Sequence, residues 1–127
     1  MYGIPADTDL SFLRDKTLTQ VCFGPYDLQL AFLEQRTHIS ITSTIGYALP
    51  DGTYAERSIA PQEGAMSFLD DPFPLLRLLM KKITEVSWTL EGTLTLEFEG
   101  ASCIQIYDDN GPYESYTVTH GGTLFVI

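Results

Sequence analysis

Within seven positions, Asp108, Asp109, Asn110 and Glu114 present four side-chain oxygen donors, with Tyr113 and Tyr116 beside them. Two chemistries could use such a cluster. A hard cation such as calcium takes six to eight oxygens, commonly from alternate residues of a loop that bends at a glycine. Here the donors are consecutive and the calcium-loop spacing is missing. Asp-Asp-Asn-Gly-Pro therefore reads foremost as a turn, and no metal is expected. The other chemistry is that of a carboxyl beside an apolar face. Alternation along a strand over 113–119 puts Glu114, Tyr116 and Val118 on one side. With Val118 in the core, Glu114 points toward the rim of that face, where an unpaired carboxylate is costly. The structural reading, which we favour, holds Glu114 by backbone or tyrosine groups at a sheet end. The functional reading makes it an acid of raised pKa, or a binding residue in a small cleft. Asp108, Asp109, Tyr113, Glu114 and Tyr116 are the candidate binding residues, and no catalytic residue is assigned.

Elsewhere the chemistry thins out. His38 alternates opposite Ile39 and should face solvent, and His120 falls in a turn, so the two histidines make no zinc motif. No G-x-S-x-G, Walker loop or G-x-G-x-x-G occurs, and no cofactor is expected. Seven tyrosines are present, several in turns or on the outward side of strands. That suits a contact surface better than a reaction centre.

The elements that must position these residues follow from a self-similarity. Residues 16–41 read K-x-L-T-Q-V-C-F, L-Q-L-A-F, I-S-I, and residues 81–106 read K-x-I-T-E-V-S-W, L-T-L-E-F, I-Q-I. A shift of 65, or 66 in the middle, superposes the apolar positions, so a three-stranded meander is expected twice, over 16–45 and 81–107. Parity sets the registers. Val21 and Phe23 are odd and Leu28 and Leu30 even, which requires the even loop Gly24-Pro25-Tyr26-Asp27. Val86, Trp88, Leu94 and Leu96 are all even, which requires the odd loop Leu90-Glu91-Gly92, with Gly92 left-handed. Strands are expected near 17–24, 27–34, 37–45, 84–90, 93–99, 102–107, 113–119 and 123–127. Pro50-Asp51-Gly52-Thr53 is a turn that could tip a further hairpin through Tyr47 and Tyr54.

Asp70-Asp71-Pro72 caps a helix expected over 72–82, and Lys81-Lys82 suit its C-terminal end. Its apolar residues leave little polar face, so it should be buried, with Leu76 and Leu79 in the core and Met80 as filler. One shorter helical turn is expected within 7–14. The fold class read from these elements is α+β: a duplicated antiparallel meander plus C-terminal strands, with one buried central helix, in a single domain over 1–127. The expected core is Val21, Phe23, Leu28, Leu30, Phe32, Ile39, Ile41, Leu76, Leu79, Val86, Trp88, Leu94, Leu96, Phe98, Ile104 and Ile106.

The chain has 127 residues, 17 acidic against 7 basic, for a net charge of −10. Phosphate backbones and anionic membrane surfaces repel such a chain, so neither nucleic acid nor membrane is an expected partner. Acidity as plain solubility is the favoured reading of this charge, and a basic protein is the partner it leaves open. The N-terminus has no signal-peptide pattern and no apolar run is long enough to span a bilayer, so a cytoplasmic location is expected. Cys22 and Cys103 lie out of phase with the strongest apolar positions and are expected as free thiols.

The stretch Glu91-Gly92-Thr93-Leu94-Thr95-Leu96-Glu97-Phe98, with Gly100, Ile104-x-Ile106, Asp108-Asp109 and Tyr113-Glu114-Ser115-Tyr116, resembles a family of short bacterial proteins of unknown function. Members carry a G-T-L-x-L-x-F meander and then a Y-E-x-aromatic strand. The resemblance is best over about 72–118, fainter over 16–45, and departs after Thr119. It implies a cytoplasmic bacterial α+β domain and carries over no activity. Function stays open on these grounds. The favoured reading is a non-catalytic acidic protein-binding module of immunity or regulatory type, monomeric or weakly dimeric. The alternative is a small enzyme or ligand-binding cup using Glu114 with Asp108, Asp109 and tyrosines.

Overall fold

The computed structural model describes residues 3–33, 36–59 and 73–127. Its strands, in chain order, are β1 (Leu18–Phe23), β2 (Leu28–Phe32), β3 (His38–Ile41), β4 (Thr44–Ala48), β5 (Tyr54–Ser58), β6 (Ile83–Trp88), β7 (Leu94–Phe98), β8 (Ser102–Ile106), β9 (Tyr116–His120) and β10 (Thr123–Val126). They form two antiparallel five-stranded sheets, ordered β1-β2-β3-β9-β10 and β5-β4-β8-β7-β6. Each meander thus builds three strands of one sheet, and the hairpin that follows it crosses to complete the other. The inward residues of both sheets belong to one core.

The registers follow from parity. Val21 pairs with Leu30 and Phe23 with Leu28, while Val86 pairs with Leu96 and Trp88 with Leu94. In the odd loop Gly92 has φ of +109°. Both first strands carry a bulge at the matching place, Leu18/Gln20 and Ile83/Glu85. A bulge reverses the facing of residues before it. That is why Leu18 and Ile83, outside the expected core, are fully buried. The correspondence reaches the backbone's left-handed positions: Asp15 and Met80, then Arg36 and Ala101, all have φ between +49° and +69°. Thr19 and Thr84 each donate a hydroxyl across their strand pair, to the carbonyls of Ala31 and Glu97.

Thr17 and Lys82 form an isolated bridge where the edge of one sheet meets the edge of the other. Around it the main chain bonds reciprocally. Leu18 N–H donates to Lys81 O (3.0 Å) and Ile83 N–H to Lys16 O (2.9 Å); Met80 N–H donates to Leu18 O (2.7 Å) and Asp15 N–H to Ile83 O (2.8 Å).

This crossing explains the largest departure from expectation. The helix expected over 72–82 is, among the described residues, only α1 (Phe73–Leu76). Met80 N–H bonds to Leu18, not to the carbonyl four residues back, and the left-handed Met80 turns the chain into β6. Leu75 and Leu78 are buried, whereas Leu76, Leu79 and Met80 are exposed, so the inward face is shifted by one residue from the expected one. The matching stretch, a 3-10 turn at Ser11–Leu13, likewise buries Leu10 and Leu13. Among the described residues, then, the regular structure is mostly antiparallel sheet with almost no helix. Val21, Phe23, Val86 and Trp88 pack against the core half-buried, and the other expected strand residues are buried. Tyr47 and Tyr54 do flank a hairpin, β4–β5, whose turn is closed by Leu49 and Thr53. Asp70, Asp71 and Pro72, the expected helix cap, lie outside the described residues.

Leu30 and Leu96 are fully buried at matching positions of the central meander strands. Leu30→Ala and Leu96→Ala should each destabilise by ~2–5 kcal/mol, read as a shifted urea midpoint at unchanged slope. A Cβ on Gly92 would lie 2.5 Å from Cβ of Asp108, whereas one on Gly121 (φ +61°) would meet open space. Gly92→Ala should therefore lower the melting temperature well beyond Gly121→Ala, since both pay the left-handed penalty of on the order of 1–2 kcal/mol but only the first also overlaps.

Candidate functional site

The residues after β8 turn sharply and are pinned by Asp108. Its carboxylate is buried and accepts the Gly3 N–H (2.6 Å) and the Ser115 hydroxyl (2.7 Å). Ser115 Oγ in turn accepts the Asn110 N–H at 3.2 Å. Asn110 Nδ2 donates to the Glu114 carbonyl (3.0 Å), which closes the Asx-rich turn. The N-terminal segment completes the corner, with Ile4 N–H donating to Leu90 O at 3.1 Å and the Ile4 side chain buried. Tyr116, at the start of β9, is buried and donates its hydroxyl to Gly92 O at 2.7 Å. Burial, then the charge of Asp108, hold the Tyr116 phenol well above the ordinary tyrosine range.

The five candidate residues therefore separate. Asp108 and Tyr116 are interior members of a network that holds the β6–β7 loop, the N-terminal segment and the turn after β8. Asp109 is exposed and accepts the Thr44 N–H through Oδ1 at 3.1 Å. Tyr113 is 70% exposed. Glu114 does not share a face with Tyr116 as expected. The strand begins only at Tyr116, and Glu114 is exposed while its neighbour Ser115 is fully buried. The reason is the Asp108–Ser115 bond, which draws residue 115 inward and so turns residue 114 to solvent.

Beside this corner lies a groove of about 370 Å³ lined by Thr44, Glu56, Glu91, Thr93, Tyr107, Asp108 and Asp109. Carboxylates come from β5, the β6–β7 loop and the turn after β8, and among the described residues no basic side chain lines it. A chain of hydroxyls runs along its wall. Tyr54 donates to Glu56 Oε1 (2.9 Å), contacts the Tyr107 hydroxyl (2.5 Å), and Tyr107 donates to Gln105 Oε1 (2.9 Å). Gly46 leaves room for this pair, since a Cβ there would overlap the Tyr54 hydroxyl. Tyr54 titrates above its ordinary range, through desolvation first and then its bonds to Tyr107 and Glu56. Among the described residues no group of three or more His, Cys, Asp or Glu side chains is arranged to hold a metal. At the far end of β8, around Ser102 and Gly100, a second groove is lined by charges of both signs, Arg77 and Lys81 with Asp51.

Glu91 was accessible to sequence reasoning. The odd loop and the pairing of Leu94 with Ile106 together carry Gly92 to Asp108, and so Glu91 to the groove. Glu56 and Tyr54 were not, because they arrive through the pairing of β4 with β8, strands from different meanders. His120 was expected in a turn. It ends β9, half-buried, stacked on Phe12 at 4.2 Å and bonded through Nδ1 to the Thr37 hydroxyl at 2.9 Å. Cys22 and Cys103 are free.

Because Asp108 is an acceptor for one buried and one half-buried donor, Asp108→Asn should destabilise by about 1–3 kcal/mol, as one amide face must confront a donor with a donor. Glu114→Gln should stay within about 0.5 kcal/mol of the parent. Urea unfolding of the two variants side by side checks both.

No curated protein and no solved structure matches this chain. Among the described residues no helix is long and apolar enough to cross a membrane. A family model does match, over residues 10–127, which takes in both meanders, both crossing hairpins and the corner built on Asp108 apart from its N-terminal segment. The chain belongs to a family of unknown function, DUF6188.

Proposed function

We propose that this chain is a non-catalytic, acidic protein-binding module whose groove receives a lysine- or arginine-bearing segment of a basic partner. The observation that carries the reading is the convergence of Glu56, Glu91, Asp108 and Asp109 on one groove with no cationic side chain among its described lining residues. Carboxylates gathered from three separate segments sum their fields, attract a cationic segment during encounter and orient it. Tyr107, its hydroxyl bonded to that of Tyr54, gives the wall aromatic area and a polar tip, the kind of surface that interfaces favour. Asp108 serves the site from beneath: its contacts fix the turn that presents Asp109. Tyr113 and Glu114 lie exposed on the same turn. A bacterial cytoplasmic setting accords with the resemblance in the sequence, and a role as an immunity or regulatory partner that masks a basic protein accords with the net charge of −10.

The alternative of an enzyme or ligand cup built on Glu114 has less to draw on. Glu114 does not line the groove, and the Tyr116 hydroxyl is already donated to Gly92 O.

Titration of the labelled protein with an oligolysine peptide, followed by amide chemical shifts, tests the proposal. Shifts should concentrate at Thr44, Thr93 and Tyr107, weaken steeply as salt is raised, and fall by about tenfold in affinity in a Glu56→Gln/Glu91→Gln/Asp109→Asn variant. Shifts scattered over the surface, or unchanged binding by that variant, would refute the groove as the contact.

A further inference from the structure

The four sheet edges are unequal. β1 and β6 each start with a bulge and are tied to one another around Thr17 and Lys82. β6 also carries Glu85, paired with Arg14 at 3.0 Å. β5 carries Glu56 and Arg57. β10 reads Thr-Leu-Phe-Val, with no charge, no proline and no bulge. Edges without such devices are templates for another strand.

The correspondence between the two halves sharpens the contrast. Ala48 with Tyr54 and Gly46 with Glu56 match Thr119 with Leu124 and Thr117 with Val126. Where β5 bears Tyr54 and Glu56, bonded to each other, β10 bears Leu124 and Val126, 59% and 45% exposed. Elsewhere the outward face of that sheet is polar: Thr117 and Thr119 on β9, His38 and Ser40 on β3. The backbone of the same two residues also faces out. Thr123 pairs with His120 across the two-residue Gly121-Gly122 turn, and Ile127 exchanges bonds with Tyr116 at 2.9 and 3.2 Å. In an antiparallel pair the bonding alternates, so the N–H and C=O of Leu124 and Val126 point away from β9.

We propose that β10 is the docking edge for a second copy of this chain, pairing antiparallel with its own counterpart about a two-fold axis at Phe125. In that register Leu124 of each copy opposes Val126 of the other. Their outward N–H and C=O groups form two complete hydrogen-bonded pairs, and the exposed side chains become cross-strand neighbours. A contact of this kind demands that one patch complement itself, and Leu-Phe-Val centred on Phe125 does. Charge supports it as well. β10 carries none of the net −10. The antiparallel run sets the end of the edge near Glu114, beside the Ser115–Ile127 bond, toward the end where Arg36 lies with His120 and Gly121 in the other copy. The two sheets join into one of ten strands. The acidic groove, on the other sheet, stays open in such a dimer, so this proposal and the groove reading stand or fall separately.

Sedimentation equilibrium and amide hydrogen exchange of the whole chain, from micromolar to millimolar, test it. The mass should rise from 14.2 kDa toward twice that value, and the Leu124 and Val126 amides should gain about tenfold protection over the same range. Leu124→Lys/Val126→Lys places charge only at exposed positions. It should weaken association at least about tenfold while leaving far-UV circular dichroism and melting unchanged. A monomer at every concentration would overturn the proposal, and so would a dimer in which those two amides stay unprotected. Should the variant fail to fold, protection in the parent chain still decides.

Discussion

Everything in this molecule depends on the reciprocal main-chain bonding around Thr17 and Lys82. At that point each stretch leaves its helical turn and enters its first strand by donating to, and accepting from, the other stretch. The geometry needs a left-handed residue just before the crossing, met by Asp15 on one side and Met80 on the other. It also limits the length of any helix that precedes it, because the amide that would prolong the helix is used across the crossing. Local helix preference over residues 73–82 is real, but a tertiary bond overrides it.

From the crossing outward, the sheets are completed by exchange. β4–β5 leaves the first meander to join β8, and β9–β10 leaves the second to join β3. Both departures occur at polar kinks that are themselves satisfied: Thr42 N–H and hydroxyl bond to the Ser115 carbonyl on one side, and Tyr107 N–H bonds to Thr44 O on the other. The groove sits at one of these kinks. Its acidic residues come from segments far apart in the chain, and their relative placement is inherited from the pairing of β4 with β8 and from the Gly92–Asp108 contact.

Much of the fold was legible because strand alternation is a local signal that parity turns into a register. Val21 with Leu30 and Val86 with Leu96 are of this kind, as is the left-handed Gly92. What was not legible is non-local. No pattern within residues 70–82 reveals that Met80 will bond to Leu18, and so the helix read too long and Leu76 and Leu79 read as core in place of Leu75 and Leu78. The bulges hid Leu18 and Ile83 for the related reason that alternation breaks at them. For the site, the run from Asp108 to Tyr116 was visible as a dense set of donors. Its division into interior Asp108, Ser115 and Tyr116 and exterior Asp109, Tyr113 and Glu114 was not, because a serine flanked by polar residues gives no sign that it will be buried. Glu56 and Tyr54 lay beyond reach altogether, since nothing in a sequence of hairpins says which sheet the next hairpin will join.

The exchange of hairpins also bears on how the chain is made. A ribosome releases residues in order, and when β4 and β5 emerge, β8, the strand on which they must be built, does not yet exist. The early half is then a three-stranded meander with an uncovered apolar face and a detached hairpin, and a hairpin alone is marginal at best in water. Productive folding must wait for nearly the whole polypeptide, and contacts of such long sequence separation form slowly. During that interval the uncovered strands are open to the wrong neighbour, including the same segment on another nascent chain. A duplicated sequence makes the hazard acute, because each meander closely resembles its own correct counterpart. The differences in loop length and in edge chemistry between the two halves are what distinguish the proper pairing from its imitation.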